Sequence, residues 1–127
     1  MARILIANDD EDLLELCRHI LEDCGHVIQT AADGRLALDL IRRWQPDMVL
    51  IDWVMPHVNG AEAIAILRGD PATRDIPILL MSASPSADVM ARAAGADAFL
   101  SKPFLPAELA ACAGLLLDAS ANHTAGE

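Results

Sequence analysis

Short apolar runs alternate along this chain with longer stretches in which apolar residues recur every three or four positions. Four runs, Ile4 to Ala7, Met48 to Ile51, Ile78 to Met81 and Ala98 to Leu100, read as strands buried on both faces, and Val27 to Thr30 makes a weaker fifth. Between them, Leu13, Leu14, Cys17, Ile20, Leu21 and Cys24 share one helical face. Leu36, Leu38, Leu40 and Ile41 do so more loosely, and Ala63, Ile64 and Leu67 form a third stripe. The fourth helical segment, Ser86 to Ala94, has only Val89 and Met90 as large apolar residues, which predicts a thin packing face and a movable element. A fifth begins after Lys102-Pro103-Phe104, with Pro106 in its first turn and Leu105, Leu109, Cys112 and Leu116 on one stripe. Strands alternating with helices in this way predict one doubly wound α/β domain, because right-handed crossovers leave few other topologies. Asp118 to Glu127 is small and polar and reads as a tail.

Composition narrows the partners. A chain of 127 residues buries roughly two thirds of its unfolded surface, enough for a core without a disulfide or structural metal. With 19 acidic against 9 basic residues the formal charge is −10. Direct binding to nucleic acid or anionic membrane is therefore not expected, since both are driven by neutralising phosphates. Leu109 to Leu117, the longest uncharged apolar run, falls well short of the roughly 18 residues of a membrane span. Ile4 to Ala7 lead straight into acidic sequence, unlike a signal peptide, so a cytoplasmic location is expected. Cys17, Cys24 and Cys112 lack a CxxC spacing and are expected to be small core hydrophobes. His19, His26, His57 and His123 are scattered without ligand spacing, and Trp44 and Trp53 read as packing or surface aromatics.

The chemistry lies at the strand ends. The first strand runs into Asn8-Asp9-Asp10, the third into Asp52, the fourth into Ser82 and the fifth into Lys102-Pro103. In an open α/β sheet, ligands bind outside the carboxyl ends of central strands, so these groups are expected to converge. Asp9, Asp10, Glu11 and Asp12 could simply favour a helix start. Asp52 weakens that reading, because a carboxylate ending the run Met48-Val49-Leu50-Ile51 needs compensation. Clustered carboxylates repel one another, and a hard divalent cation such as magnesium relieves the repulsion. Lys102 is the chain's only lysine, a compact charge suited to a phosphoryl oxygen.

Four segments, in order and spacing, resemble the receiver domain of two-component response regulators. They are Ile4-Leu5-Ile6-Ala7-Asn8-Asp9-Asp10, Asp52-Trp53-Val54-Met55-Pro56-His57-Val58-Asn59-Gly60, Met81-Ser82-Ala83, and Gly95-Ala96-Asp97-Ala98-Phe99-Leu100-Ser101-Lys102-Pro103-Phe104. The resemblance covers residues 3 to about 117, with a receiver domain expected over 1–118 and a flexible tail over 119–127. It implies a flavodoxin-like (βα)5 fold, a five-stranded parallel sheet of order 2-1-3-4-5. It further implies that Asp52 accepts a phosphoryl group from a histidine kinase or histidine phosphotransfer protein. Magnesium would be held by Asp9, Asp52 and the backbone carbonyl of Val54, with Asn8 through water and Asp10 as further candidates. Lys102 would contact a phosphoryl oxygen, and its bond to Pro103 is a candidate cis peptide. Ser82 would hydrogen-bond the arriving group and Phe99 would rotate inward, a population shift read by a downstream target or output domain through the fourth helix, fifth strand and fifth helix. The same surface could form a homodimer. Asp52 would be consumed stoichiometrically, so no turnover enzyme is expected.

Asn8 departs from the family, which usually carries a second acid there, and weaker magnesium binding is expected. Val54 and Ser84 stand where the family tunes phosphoryl lifetime; apolar Val54 offers nothing to orient water, so a long-lived phosphoaspartate is expected. Two rivals remain. A degenerate receiver would act as a phosphorylation-independent interaction module. A flavin-binding relative is disfavoured, because a phosphate cradle after the first strand would want Gly, Ser and Thr instead of acids.

Overall fold

Each apolar run becomes a strand of one parallel sheet, and each periodic stretch a helix laid against it. In a computed structural model describing residues 2–125, the order is β1 (Arg3–Ala7), α1 (Glu11–Asp23), β2 (Val27–Ala31), α2 (Gly34–Trp44), β3 (Met48–Asp52), α3 (Gly60–Arg68), β4 (Ile78–Ser82), α4 (Ala87–Ala94), β5 (Ala98–Ser101) and α5 (Pro106–Ala125). The strands lie in the order β2-β1-β3-β4-β5, all pairs parallel. Every residue of β3 and β4 is buried, as their uninterrupted apolar character requires.

Strand alternation divides the interior into two cores. Ile4, Ile6, Met48, Leu50, Leu79, Met81 and Leu100 face α1 and α5, meeting Leu14, Cys17, Leu21, Leu109 and Ala113. Leu5, Ala7, Val49, Ile51, Ile78 and Leu80 face the other way, toward α2, α3 and α4, where Ala37, Leu38, Ile41, Ala63, Ile64, Leu67 and Ala91 complete the packing.

Several expectations are corrected by this packing. Leu36 is exposed, and Ala37 takes the inward position on α2. Cys24, at the carboxyl cap of α1, is exposed instead of a core residue, while Cys17 is buried and Cys112 half-buried. Leu105 precedes α5 and is exposed. The polar segment expected as a tail, Asp118 to Glu127, continues α5 as far as Ala125; residues 126 and 127 lie outside the described residues.

Local capping fixes where helices start. The Asp33 carboxylate accepts from the Leu36 N–H at 2.8 Å. Asn59 and Glu62 form a reciprocal box at the start of α3, with bonds of 2.9 and 3.3 Å. Gly60, the first residue of α3, packs onto the end of β3: its N–H donates to the Trp53 carbonyl at 2.9 Å. A methyl group there would lie 2.5 Å from the Asp52 carbonyl oxygen and 2.9 Å from Trp53 Cα. Gly60→Ala is therefore expected to lower stability by about 1–3 kcal/mol, the range for a forced fit in a packed region, measured as a shift in the urea midpoint.

Candidate functional site

The carboxyl ends of β1, β3, β4 and β5 finish level with one another. The register pairs Ala7 with Ile51, Asp52 with Met81 and Ser82 with Ser101, so Asn8, Asp52, Ser82 and Lys102 share one edge. Asp52 is only 5% exposed. Its Oδ1 is ion-paired with the Lys102 ammonium, and its Oδ2 accepts from the Val54 N–H at 3.3 Å. The Lys102 N–H donates to the Ser82 carbonyl at 2.9 Å, extending the β4–β5 ladder to the lysine itself. The Lys102–Pro103 peptide is cis, as the resemblance implies. These contacts supply the compensation that a buried carboxylate at a strand end requires.

Ser82 is also buried, and its hydroxyl oxygen accepts from the Ser84 N–H at 3.1 Å. Asn8 is 1% exposed. Its N–H continues the ladder to Ala31, and its Oδ1 accepts from the Asp10 N–H at 3.0 Å. That leaves the Asn8 Nδ2 donor buried and without a hydrogen-bond partner. Asp9 is exposed beside it. Asp10, a candidate metal ligand by resemblance, is the amino cap of α1: its Oδ1 accepts from the Asp12 and Leu13 N–H groups at 3.1 and 3.3 Å. For Asp10 the helix-start reading holds.

Cys17 of α1 lies within reach of these charges. Burial above all pushes its thiol up, against the lowering effect of Lys102 and with a smaller rise from Asp52, to about 11. Phe99 takes no part in either core and is 41% exposed. It pairs in register with Leu80, two residues before Ser82 on the same strand face, so it stands one diagonal step from that serine.

Residues 4–113 match the response regulator receiver domain family. The chain belongs to that family. Among relatives, it is 42% identical to response regulator MprA of Mycolicibacterium vanbaalenii, over 98% of this chain and 54% of that protein. It is 36% identical to the DNA-binding response regulator MtrA of Mycobacterium leprae, over 86% of this chain and 48% of that protein. The receiver thus spans about half the length of these relatives. Among solved structures, the Francisella response regulator 1452 receiver domain superposes with a TM-score of 0.87 at 30% identity, covering 94% of this chain and 99% of that one. Chemotaxis response regulator CheY4 of Vibrio cholerae does so at 0.84 and 31%, covering 91% and 98%. The flavodoxin-like sheet order expected from the resemblance is the one observed.

Receiver domains bind magnesium as a general property of the family. Among the described residues here, no three His, Cys, Asp or Glu side chains gather as a metal cage. Magnesium does not need one, since it keeps several waters and takes only one or two carboxylates. The resemblance would make Asp9 and Asp52 with a backbone carbonyl such an open set. Asn8 fits less well, because its carbonyl oxygen is already used by Asp10 and its free group is a donor.

Reading the sequence alone did not pick out Arg68, Ser86 or the nearness of Cys17 to the ion pair. The S-x-S-x-S spacing at Ser82, Ser84 and Ser86 was the available signal, since serines two apart bond each other's backbone. For the thiols, iodoacetamide at pH 8 is expected to modify exposed Cys24 in the folded receiver. Cys17, buried and with its thiol at about 11, should be spared until denaturant is added, read by peptide mass mapping.

Proposed function

We propose that Asp52 is a phosphoacceptor, taking a phosphoryl group from the phosphohistidine of a histidine kinase or phosphotransfer protein. The observation that carries this reading is the buried Asp52 carboxylate, ion-paired with the chain's only lysine beside a buried serine hydroxyl at the next strand end. In the transfer an Asp52 oxygen attacks phosphorus and an O–P bond forms. The P–N bond to the donor imidazole breaks, and its electron pair returns to the ring nitrogen. Lys102, already at the carboxylate, turns to a phosphoryl oxygen, and the Ser82 hydroxyl donates to another. Asp9, Asp52 and the Val54 carbonyl would hold magnesium, which when bound neutralises charge on the transferring group. One phosphoryl group is taken per chain, so the receiver is a stoichiometric switch. The Val54 side chain is apolar and exposed and orients no water, which favours slow autodephosphorylation.

A partner would read the result on α4, β5 and α5, where Val89, Phe99 and Leu115 are exposed. That partner is an output domain, a separate target or a second copy. The acidity of this chain supports nucleic-acid binding, if any, by a segment other than the receiver. A phosphohistidine donor made with ATP places the exchange in the cytoplasm. Among the described residues, no helix is long and apolar enough to cross a membrane.

Asn8 favours one second reading, a degenerate receiver that signals by binding alone. With Asp10 spent as a helix cap and Asn8 neutral, the acid set falls to Asp9 and Asp52. Trp53, half-buried next to Asp52, discriminates. Its fluorescence is expected to change saturably with magnesium and then beryllofluoride, a phosphoryl mimic, and to stay flat in Asp52→Ala. A flat trace in the wild type, with no mass gain from acetyl phosphate, would establish the degenerate reading instead. Asn8→Asp is expected to tighten magnesium binding roughly tenfold, the lower end of the effect of an outer partner on metal affinity. Equal affinities by the same titration would remove Asn8 from the metal's surroundings.

A further inference from the structure

Helix α4 is held in different ways at its two ends. At the carboxyl end Gly95 closes the helix in the left-handed region, φ 96°, where glycine is unstrained. One guanidinium then fastens the turn: Arg68 Nε donates to the Gly95 carbonyl at 3.0 Å, and its Nη1 to the Arg74 and Ile76 carbonyls at 2.6 and 2.8 Å. Its Nη2 pairs with Asp97 Oδ2 at 2.7 Å, the same oxygen that accepts from the Ile78 N–H. The end of α3, the α3–β4 loop, the start of β4 and the α4–β5 turn are joined at this one side chain.

The amino end has no side-chain cap, and Ser86 stands there with φ −100° and ψ 21°. It is reached from the site through two bonds of one kind. The Ser84 N–H donates to Ser82 Oγ at 3.1 Å, and the Ser86 N–H donates to Ser84 Oγ at 3.1 Å. The Ser86 carbonyl then accepts from the Met90 N–H at 2.9 Å, in the first turn of α4. Among the described α4 residues Ala91 is buried in the core and Ala94 packs against it, both in the second half of the helix, while Val89 is 64% exposed, so the amino end is the less restrained.

We infer that Ser84 is a positioning residue, carrying the state of the Ser82 hydroxyl to the amino end of α4 while Arg68 keeps the carboxyl end fixed. The inference rests on the phosphoacceptor reading above. When the Ser82 hydroxyl turns to donate to a group on Asp52, its oxygen moves. The Ser84 N–H must follow or lose its acceptor. If it follows, the Ser84 hydroxyl is drawn away from the Ser86 N–H; if it stays, Ser84 loses the bond that positions its hydroxyl, and in both cases the uncapped end responds. Each such bond is worth roughly two- to tenfold in an equilibrium constant, enough to shift a loosely held helix end. Because the far end is clipped, the response is confined to the first turn.

The test is residue-resolved amide exchange of the full chain, with and without saturating magnesium and beryllofluoride, loading being followed by fluorine NMR. In the wild type, loading should change exchange at least fivefold at residues 86–90 and less than twofold at 91–95. Ser84→Ala and Ser84→Val should bring the change at 86–90 below twofold when loaded, and Ser84→Thr, which has the shape of valine but keeps a hydroxyl, should restore it. A wild-type response in both hydroxyl-free variants, no rescue by threonine, or an equal change at 91–95 overturns the relay alone. A wild type that shows no bound fluoride signal overturns the phosphoacceptor reading and the relay with it.

Discussion

The ion pair between Asp52 and Lys102 sets the terms for the chain around it. Removing a carboxylate and an ammonium from water costs several kcal/mol per ion unless geometry and further hydrogen bonds compensate. Here the ammonium arrives from β5, two strands away from β3, so the sheet edge must be level across β3, β4 and β5 for the pair to form. The ladder bond from Lys102 to the Ser82 carbonyl holds the lysine at that level. The Val54 amide meets the second carboxylate oxygen, and the tight approach of Gly60 turns the chain after Asp52 into α3 instead of across the site. The pair leaves the carboxylate already beside the cation that its charge requires.

Order of attachment also grades the helices. Side-chain oxygens cap α1, α2 and α3, which ties each amino end to its own first turn. Helix α4 has no such cap, and serine hydroxyls upstream take over the bonding of the loop that leads to it. The thin apolar face predicted for Ser86 to Ala94 is therefore matched by thin anchoring at the amino end.

Much of this was legible in the sequence. Buried parallel strands announce themselves as unbroken apolar runs, and Asp52 was conspicuous because a charge terminating such a run has to be answered. Lys102 stood out as a lone residue type, and the motifs around both placed them in a receiver. What stayed hidden depended on orientation. Periodicity could not tell that Ala37 would displace Leu36 from the core of α2, since a small residue between larger ones carries little signal. The roles of Asp9 and Asp10 were inseparable by composition, because capping and metal binding ask for the same carboxylate; only the bonds from Asp12 and Leu13 distinguish them. Phe99 was equally ambiguous, as β5 is an edge strand whose outer positions need not be covered. The α5 boundary was missed because the small and polar residues after Asp118 carry no apolar stripe and so look like a tail.

The division of the interior into two cores has a consequence for what a small ligand can accomplish here. By strand alternation Asn8, Asp52 and Lys102 are in phase with the layer of α1 and α5, whereas Ser82 and Phe99 are in phase with the layer of α2, α3 and α4. The sheet separates these layers everywhere except at its rim. On the proposed function, a group bonded to Asp52 and grasped by Ser82 would reach around that rim, so a handful of atoms would register on the side that recognises nothing of the donor. A layer that takes delivery and a layer that broadcasts would then be free to diverge in surface independently, sharing only a few polar side chains at one edge.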